Sequence, residues 1–348
     1  MKKSKKIISA SFVLFSLLFA GPGAKAQTPV EYMDKITGNI NAFSEDLFSY
    51  MSSIAHDRSA RKTESKRKEL IKTCQSGQKN VEKMQAYEGD AALRDSVVSF
   101  FQVTYSLLTE DFSKIVDMEA VAEQSYDLME AYLLAQEKAS QRVKEASGMM
   151  IREQQNFAGR HNIKLIETQN EKSKKLEKAE KVFKNYNVYF LIFFKPYKQE
   201  IYLLDALGKT DINALRQSLD ALEAGADEGL KKLDTTKAFA NDPTVASACK
   251  EMMKFYKEEA AEKGPAMVNF LVQQDNMKKA KETFESIAES KRRQADIDKY
   301  NAAIADFNKS LETFNKNNDY LNKKRQQLLD RWNKAGPDFL GRHVPKNK

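Results

Sequence analysis

The sequence predicts an all-α protein of two tandem duplicated four-helix units with long coiled-coil-like helices. Glycine and proline are scarce, 13 and 7 among 348 residues, and charged residues make up 30%, which favours long helices over sheets. Apolar residues recur at steps of three and four along most of the chain, as they do on the buried face of a helix. One stretch also occurs twice, 152 residues apart, as GQKNVEKMQAYEGD at 77–90 and GLKKLDTTKAFAND at 229–242.

The first 26 residues have the three parts of a secretory signal peptide. Four lysines lie among the first six residues, Ile7–Ala20 is apolar, and Ala24-Lys25-Ala26 has the small-x-small pattern that precedes cleavage. We predict cleavage before Gln27 and export to the periplasm or cell surface. The alternative, an uncleaved membrane anchor, is disfavoured because the apolar run is too short.

Removing the signal peptide changes the charge balance of the chain. Five of the 57 basic residues lie before Gln27, so the mature chain has 52 basic and 49 acidic residues, a net charge of +3. A nearly neutral chain does not favour nucleic acid as a partner.

Cys74 and Cys249 are the only cysteines. An exported protein meets an oxidising compartment, which permits a disulfide between them. The two positions do not match at the offset of 152 residues, so we favour two buried free thiols and leave the bond open.

The first copy is predicted to begin with three helices of similar length. They span Val30–His56, Ala60–Ala86 and Ala91–Ile115. Tyr87–Asp90 is predicted to form a tight turn, from which Asp90 caps the third helix by accepting its exposed N–H groups. A long helical tract follows over Val116–Phe183, and Gly148 and Gly159 are expected to bend or break it.

The second helix of this copy begins with a cluster of positive charge. Arg61-Lys62 and Lys66–Lys68 lie near its start, and Glu64 and Glu69 are interspersed. The cluster is either a contact for an anionic surface or polymer, or a solvated helix face of mixed charge. We favour the solvated face, because such faces are common on helices.

The second copy is predicted to begin near Val182 with an aromatic helix. Val188–Phe194 is apolar on every side, which is typical either of a deeply buried helix or of a membrane-seeking segment. Seven residues are too few to span a bilayer, and the aromatic and β-branched content would also suit a strand or a hydrophobic tongue. We favour a buried central helix, which Pro196 is expected to kink or restart.

The rest of the second copy is predicted to be helical. Two helices span Asp211–Ala238 and Pro243–Glu262. Asp242 is the expected N-cap, and Pro243 the first helical position, of the second of these. Gly264-Pro265 is predicted to form a turn. Ala266–Trp332 then contains no Gly or Pro over 67 residues, about 100 Å of helix at 1.5 Å per residue.

Within that stretch a seam of residues recurs in alternating steps of three and four. The seam comprises Ile297, Tyr300, Ile304, Phe307, Leu311, Phe314, Asn318, Leu321, Arg325, Leu328 and Trp332. A heptad pattern sustained over five repeats predicts coiled-coil packing, with Asn318 fixing the register. Its partner is the charged tract before Phe183, the first helix, or another molecule.

The duplication gives the predicted organisation of the whole chain. It consists of a signal peptide (1–26), repeat one (27–181), repeat two (182–333) and a frayed C-terminal tail (334–348). Each copy is expected to contain three helices of moderate length and a fourth about twice as long. The fourth helices are expected to pack differently, because the regular seam of the second copy aligns with a stretch of the first copy that contains Gly148 and Gly159.

The sequence predicts no catalytic, cofactor-binding or metal-ligating residue. The three histidines, His56, His161 and His343, lack the Glu-x-x-His spacing of di-iron bundles, and we interpret them as surface residues. The chain also lacks Cys-x-x-Cys, a Gly-rich phosphate loop and a Gly-x-Ser-x-Gly elbow.

The chain resembles an uncharacterised family of exported bacterial helical proteins, usually described as surface proteins. The resemblance rests on the signal ending in Ala24-Lys25-Ala26, the duplicated bundle and the turn at Tyr87–Asp90. The resemblance implies a location in the cell envelope and no particular activity.

We therefore predict a non-enzymatic helical binding or structural protein of the cell envelope that acts through helix faces. Its partner would be another envelope component or a second copy, through the seam from Ile297 to Trp332. The alternatives are a membrane-active bundle that inserts Val188–Phe194, and a bundle that binds a cofactor through scattered side chains.

Overall fold

The computed structural model of the chain describes residues 27–57, 59–111, 124–165 and 171–347. The predicted signal peptide lies outside these residues. All regular elements among them are helical, so the all-α prediction is confirmed.

The helices are named in chain order. They are α1 (Pro29–His56), α2 (Ala60–Glu82), α3 (Ala92–Ser106), α4 (Tyr126–Arg160), α5 (Glu171–Gly208), α6 (Ile212–Thr235), α7 (Thr244–Lys257), α8 (Gly264–Ser286) and α9 (Gln294–His343). One π-helical segment, Leu107–Asp111, extends α3, and another, Glu258–Lys263, joins α7 to α8.

The described chain divides into two compact units. The first unit comprises the described residues up to Asn187 together with those from Pro337 onward, and the second is Val188–Gly336. The helices α5 and α9 each contribute residues to both units.

The prediction of a frayed C-terminal tail is wrong. The helix α9 continues through Pro337, and three apolar side chains near its end are buried. They are Phe339, Leu340 and Val344. Nε2 of His56 lies 2.9 Å from the carbonyl oxygen of Val344, and the amide of Asn347 donates to Oγ of Ser52 at 3.0 Å. Burial of the apolar side chains therefore outweighs the backbone hydrogen bond that Pro337 cannot make.

The first unit begins as the sequence predicts. Thr28 and Glu31 form a capping box at the start of α1, and the apolar face of α1 is buried. Phe43 of this face meets Phe101 edge-on, with ring centres 6.0 Å apart. A Cβ atom on Gly77 of α2 would lie 2.7 Å from Cζ of Phe101, so a glycine is needed where α2 and α3 meet.

The predicted turns, with Asp90 and Asp242 beside the helix starts, are confirmed in both units. The prediction that Pro243 is the first helical position is wrong, because α7 begins at Thr244. Glu88 and Gly89 have φ values of 50° and 88°, and Ala240 and Asn241 have φ values of 50° and 56°. One carboxylate follows each pair. Oδ1 of Asp90 accepts from the amide of Ala92 at 3.0 Å, and Oδ1 of Asp242 accepts from that of Thr244 at 2.9 Å.

The long helix predicted for the first copy is interrupted. Gly148 lies inside an unbroken α4, which ends at Arg160, one residue after Gly159, and α5 begins at Glu171. The expectation of a bend or break is therefore met only near Gly159. Residues 112–123 of the same prediction lie outside the described part of the chain.

The prediction that Val188–Phe194 is a buried helix is confirmed for most of the segment, although Val188 itself is 40% exposed. Tyr189, Ile192, Phe193 and Phe194 are buried in α5, which continues through Pro196 to Gly208 without restarting. The ring of Phe193 stacks on Trp332 of α9 at 4.2 Å between ring centres. Insertion of this segment into a membrane would require these rings to leave the core.

The prediction of a turn at Gly264-Pro265 is wrong. Gly264 has helical angles, φ −55° and ψ −42°, and the π-helical segment passes directly into α8. A Cβ atom on Gly264 would lie 2.5 Å from Cδ2 of Leu219 in α6. The glycine at this position therefore serves close helix packing rather than chain reversal.

The stretch Ala266–Trp332 is not one helix, because the chain reverses between α8 and α9. A single 3-10 turn, Glu289–Lys291, lies at the reversal. Nε of Arg292 donates to the carbonyl oxygen of Ile287 at 3.1 Å, and the amide of Arg293 donates to Oδ2 of Asp296 at 3.0 Å. Polar capping, without Gly or Pro, thus ends one helix and starts the next.

The first half of the predicted seam packs on α8, a partner that the sequence did not suggest. Phe314 stacks on Phe270 at 4.4 Å between ring centres, and Phe307 lies 6.0 Å from the same ring. Nearer the reversal, Tyr300 stacks on Phe284 at 5.0 Å. The helices α8 and α9 therefore form an antiparallel hairpin.

Both cysteines are buried free thiols, as we favoured. The Sγ atom of Cys74 donates to the carbonyl oxygen of Phe101 at 3.5 Å, and burial raises the pKa of this thiol to about 12. Burial also raises the pKa of Cys249. Both thiols are therefore held in the unreactive protonated form.

Candidate functional site

Three charged side chains meet inside the second unit and are called here the buried triad: Glu200 of α5, Glu259 of the π-helical segment, and Arg325 of α9. Nε of Arg325 donates to Oε1 of Glu200 at 2.5 Å, and its Nη2 donates to Oε1 of Glu259. Nη1 donates to Oδ1 of Asn322 at 2.6 Å. Glu200 and Glu259 are only 2% and 0% exposed, so the two carboxyl groups are sealed from solvent.

The buried triad is a feature of the second unit only. At the offset of 152 residues, its three positions correspond to Phe48, Leu107 and Ser173. Phe48 and Leu107 are buried apolar residues of the first unit. One sign of the buried triad was visible in the sequence, because Arg325 is a charged residue in a mostly apolar seam. The periodicity alone did not show that this charge is buried.

Burial raises the pKa of Glu259 to about 8, and the charge of Glu200 raises it as well, against the lowering effect of Arg325. Glu259 therefore carries its proton at neutral pH. The arrangement can hold a proton between two carboxyl groups. It can also fix α9 against α5 and the π-helical segment, but a substrate would reach it only if the helices opened.

Glu259 should make the second unit less stable at alkaline pH. Its pKa of about 8 lies above the ordinary 4.5, so between these values the folded chain holds a proton that the unfolded chain has lost. The free energy of unfolding therefore falls as the pH rises through this window. Relative to Glu259→Gln, we expect the wild type to lose about 2 kcal/mol between pH 6 and pH 9.

Urea unfolding followed by Trp332 fluorescence measures this difference. Glu262→Gln, which changes an exposed carboxylate of the same π-helical segment, is the matched control and should keep the wild-type fall. Parallel pH profiles for wild type and Glu259→Gln would contradict the assignment.

A second network adjoins the buried triad at the surface. Glu258 accepts from the hydroxyl of Tyr320 at 2.6 Å and from Nζ of Lys324 at 2.5 Å. These bonds hold the pKa of Glu258 below its usual value, although burial alone would raise it. The network adds two hydrogen bonds between α9 and the π-helical segment.

The interpretation of the histidines as surface residues is wrong, because His56, His161 and His343 are all half-buried. The ring centre of His161 lies 5.0 Å from that of Tyr87 and 4.3 Å from that of Phe157, and its Nε2 lies 3.1 Å from Oδ2 of Asp90. Nε of Arg160 donates to the same carboxylate oxygen at 2.8 Å. Asp90 thus ties the turn to the end of α4, beyond the capping role that the sequence predicted.

The distal part of the α8–α9 hairpin, residues 272–309, is called here the hairpin arm. All of its residues are described, and none of them is buried, including the aromatic residues that stack across it. Ile297 remains 36% exposed. Two helices alone cannot enclose a core, so this surface is available for contacts.

Among the described residues, no group of three or more His, Cys, Asp and Glu side chains is placed to hold a metal ion. None of the described helices is both long enough and apolar enough to cross a membrane.

The chain matches no protein-family model, and comparison with curated proteins and with solved structures finds no significant match. The resemblance to exported surface proteins therefore stays a prediction.

Proposed function

We propose that the chain is an exported, non-enzymatic helical protein of the cell envelope that binds its partners through exposed helix faces. The observation that carries this proposal is the hairpin arm, in which ordered helices stack their aromatic rings without burying any residue. The buried triad is sealed from solvent, and its charged groups bond to one another. The accessible chemistry of the second unit therefore lies on its helix surfaces.

The start of α1 supports the proposed export. Cleavage before Gln27 would leave Thr28 and Glu31 in place, and their capping box satisfies the first amides of the mature chain. The predicted mature protein would thus begin with a complete helix terminus.

We further propose that the two units arose by duplication. Three features support this at the offset of 152 residues: α2 and α6 begin at matched positions, α3 and α7 do as well, and the left-handed turn residues coincide. The close-packed glycines also match, because Gly229 approaches Met253 as Gly77 approaches Phe101. On this proposal the fourth helices have diverged, which would account for the hairpin arm of the second copy.

Self-association through the start of the seam, at the exposed side chain of Ile297, is the specific contact that we propose for the hairpin arm. Light scattering should show a dimer in equilibrium with the monomer, and Ile297→Lys should weaken it roughly tenfold, since it places a charge in a small apolar contact. Val188→Lys, which changes a residue of similar exposure on α5, is the matched control and should not weaken it. A monomer at all concentrations tested would remove self-association from the proposal.

Export has a separate test. N-terminal sequencing of the chain from the envelope fraction should begin at Gln27. An unprocessed chain confined to the cytoplasmic fraction would overturn the envelope assignment whatever the oligomeric state.

A further inference from the structure

Five cations form a line along α2 and its C-cap, called here the cationic stripe. They are Arg61, Lys68, Lys72, Lys79 and Lys83. All five are exposed, and their steps of seven and four residues place them on one side of the helix. The stripe is about 33 Å long at 1.5 Å per residue.

The stripe carries uncompensated positive charge. None of its five cations takes part in an ion pair with a described residue. Two of the three acidic residues of α2 have partners outside the stripe, since Glu69 pairs with Lys66 and Glu64 pairs with Arg67, both at 2.7 Å. The third, Glu82, lies beside Lys83 at the end of the stripe. By contrast, cations of the second unit such as Lys250 and Lys257 pair with carboxylates of α6.

The matched helix of the second unit has the opposite charge. The helix α2 contains seven basic and three acidic residues, whereas α6, at the offset of 152, contains three basic and five acidic residues. Most of the mixed charge that we favoured from the sequence lies in the first three turns of α2, which contain Glu64 and Glu69, and Glu82 lies at the end of the helix.

We propose that the cationic stripe binds a linear acidic polysaccharide. This inference rests on the proposed function, because it names the partner class that an envelope protein would meet. One row of cations suits a single extended chain of anionic groups. The exposed residues between them include four neutral ones, Ser65, Gln75, Ser76 and Asn80, which can hydrogen-bond sugar hydroxyl groups. Lys62 and the glutamates Glu64, Glu69 and Glu82 are exposed on the same helix.

The composition of the stripe disfavours two other anionic partners. No aromatic side chain lies along it, so it lacks the platform on which single-stranded nucleic acids stack their bases. It also lacks an exposed large apolar residue that could enter a lipid surface. Electrostatic attraction combined with neutral hydrogen bonding is the chemistry that remains.

Binding of the full mature chain to alginate oligomers, a linear polyuronate, tests the proposal. In the triple variant Lys68→Gln, Lys72→Gln, Lys79→Gln, we expect the affinity at low ionic strength to fall at least tenfold. The slope of log affinity against log salt concentration should become shallower by about 2. This is the change expected when three contacts between lysines and a linear polyanion are lost. Glutamine preserves helix propensity, and an unchanged thermal unfolding curve would show that the variant is folded.

The matched control removes the same charge from elsewhere. Lys231→Gln, Lys254→Gln and Lys323→Gln change three exposed lysines of the second unit outside the hairpin arm, and these likewise have no ion pair with a described residue. Affinity within twofold of the wild type is expected. Equal losses in the two triple variants would show that net charge alone matters and would overturn the proposal.

Three further results would also overturn it. These are no binding of alginate by the wild type, tighter binding of a single-stranded oligonucleotide, and tighter binding of phosphatidylglycerol–phosphatidylcholine vesicles. Uncharged dextran should not bind. Since the mature N-terminus and the molar mass are measured without any glycan, failure of this inference is distinguishable from failure of the proposed function.

Discussion

Replacing Arg325 with alanine is expected to lower the free energy of unfolding of the second unit by about 3–5 kcal/mol. The change leaves two buried carboxyl groups, Glu200 and Glu259, without the guanidinium that holds them. The only tryptophan, Trp332, is stacked in this unit, so its fluorescence during urea unfolding reports the change directly.

Arg331→Ala is the matched control on the same helix. Arg331 pairs with Glu251 at the surface, where its side chain is 58% exposed, so its loss should cost less than about 1 kcal/mol. A second variant distinguishes two causes of the loss: buried carboxyl groups left without their partner, here called stranded charge, and the packing contacts of the arginine side chain. Changing all three members of the buried triad to methionine should recover most of the stability that Arg325→Ala loses. If the triple variant were as unstable as the single one, stranded charge would not be the cause.

The second large effect is expected at Gly77. A Cβ atom there would lie 2.7 Å from Cζ of Phe101, whose ring is buried and in contact with Phe43. Gly77→Ala should therefore force the two helices apart and destabilise the first unit by about 1–3 kcal/mol. Thermal unfolding followed by circular dichroism at the helix band measures it.

Gly148→Ala gives the control of opposite sign in the same unit. A Cβ atom at Gly148 would have its nearest neighbour at 3.7 Å, the Nη1 atom of Arg152, which is an ordinary contact. Without crowding, alanine should stabilise α4 by about 0.5–1 kcal/mol through its higher helix propensity. Destabilisation of similar size at both positions would contradict the packing argument at Gly77.

Helical periodicity and capping chemistry predicted the parts of the fold that depend on local sequence. The buried face of α1, the turns capped by Asp90 and Asp242, and the burial of Phe193 and Phe194 were all accessible in this way. Each of these features follows from the spacing of apolar residues or from a side chain that accepts a hydrogen bond from a backbone amide close by in the sequence.

Features that depend on tertiary packing were missed. The reversal between α8 and α9 uses Arg292 and Asp296 as caps, without the Gly or Pro that usually marks a turn. Conversely, Gly264-Pro265 has the composition of a turn but lies in a helix. The sequence does not reveal this, because the close approach of Gly264 to Leu219 exists only in the folded unit.

The buried triad was missed for a related reason. Arg325 was visible as a break in the seam, but charged side chains are common at exposed positions of helices. Its burial depends on Glu200 and Glu259, which lie 125 and 66 residues away in the sequence. Periodicity carries no information about such distant partners.

The burial of the C-terminal segment has a consequence for the order in which the chain folds. The contact between His56 and Val344 joins residues 288 positions apart. A ribosome releases the chain from its N-terminus, so the first unit is completed only after the whole of the second unit has been released. The second unit is continuous in the sequence and can fold while the first still lacks the segment that follows Gly336. Until that segment arrives, the end of α1 is uncovered and the first unit is open to proteolysis.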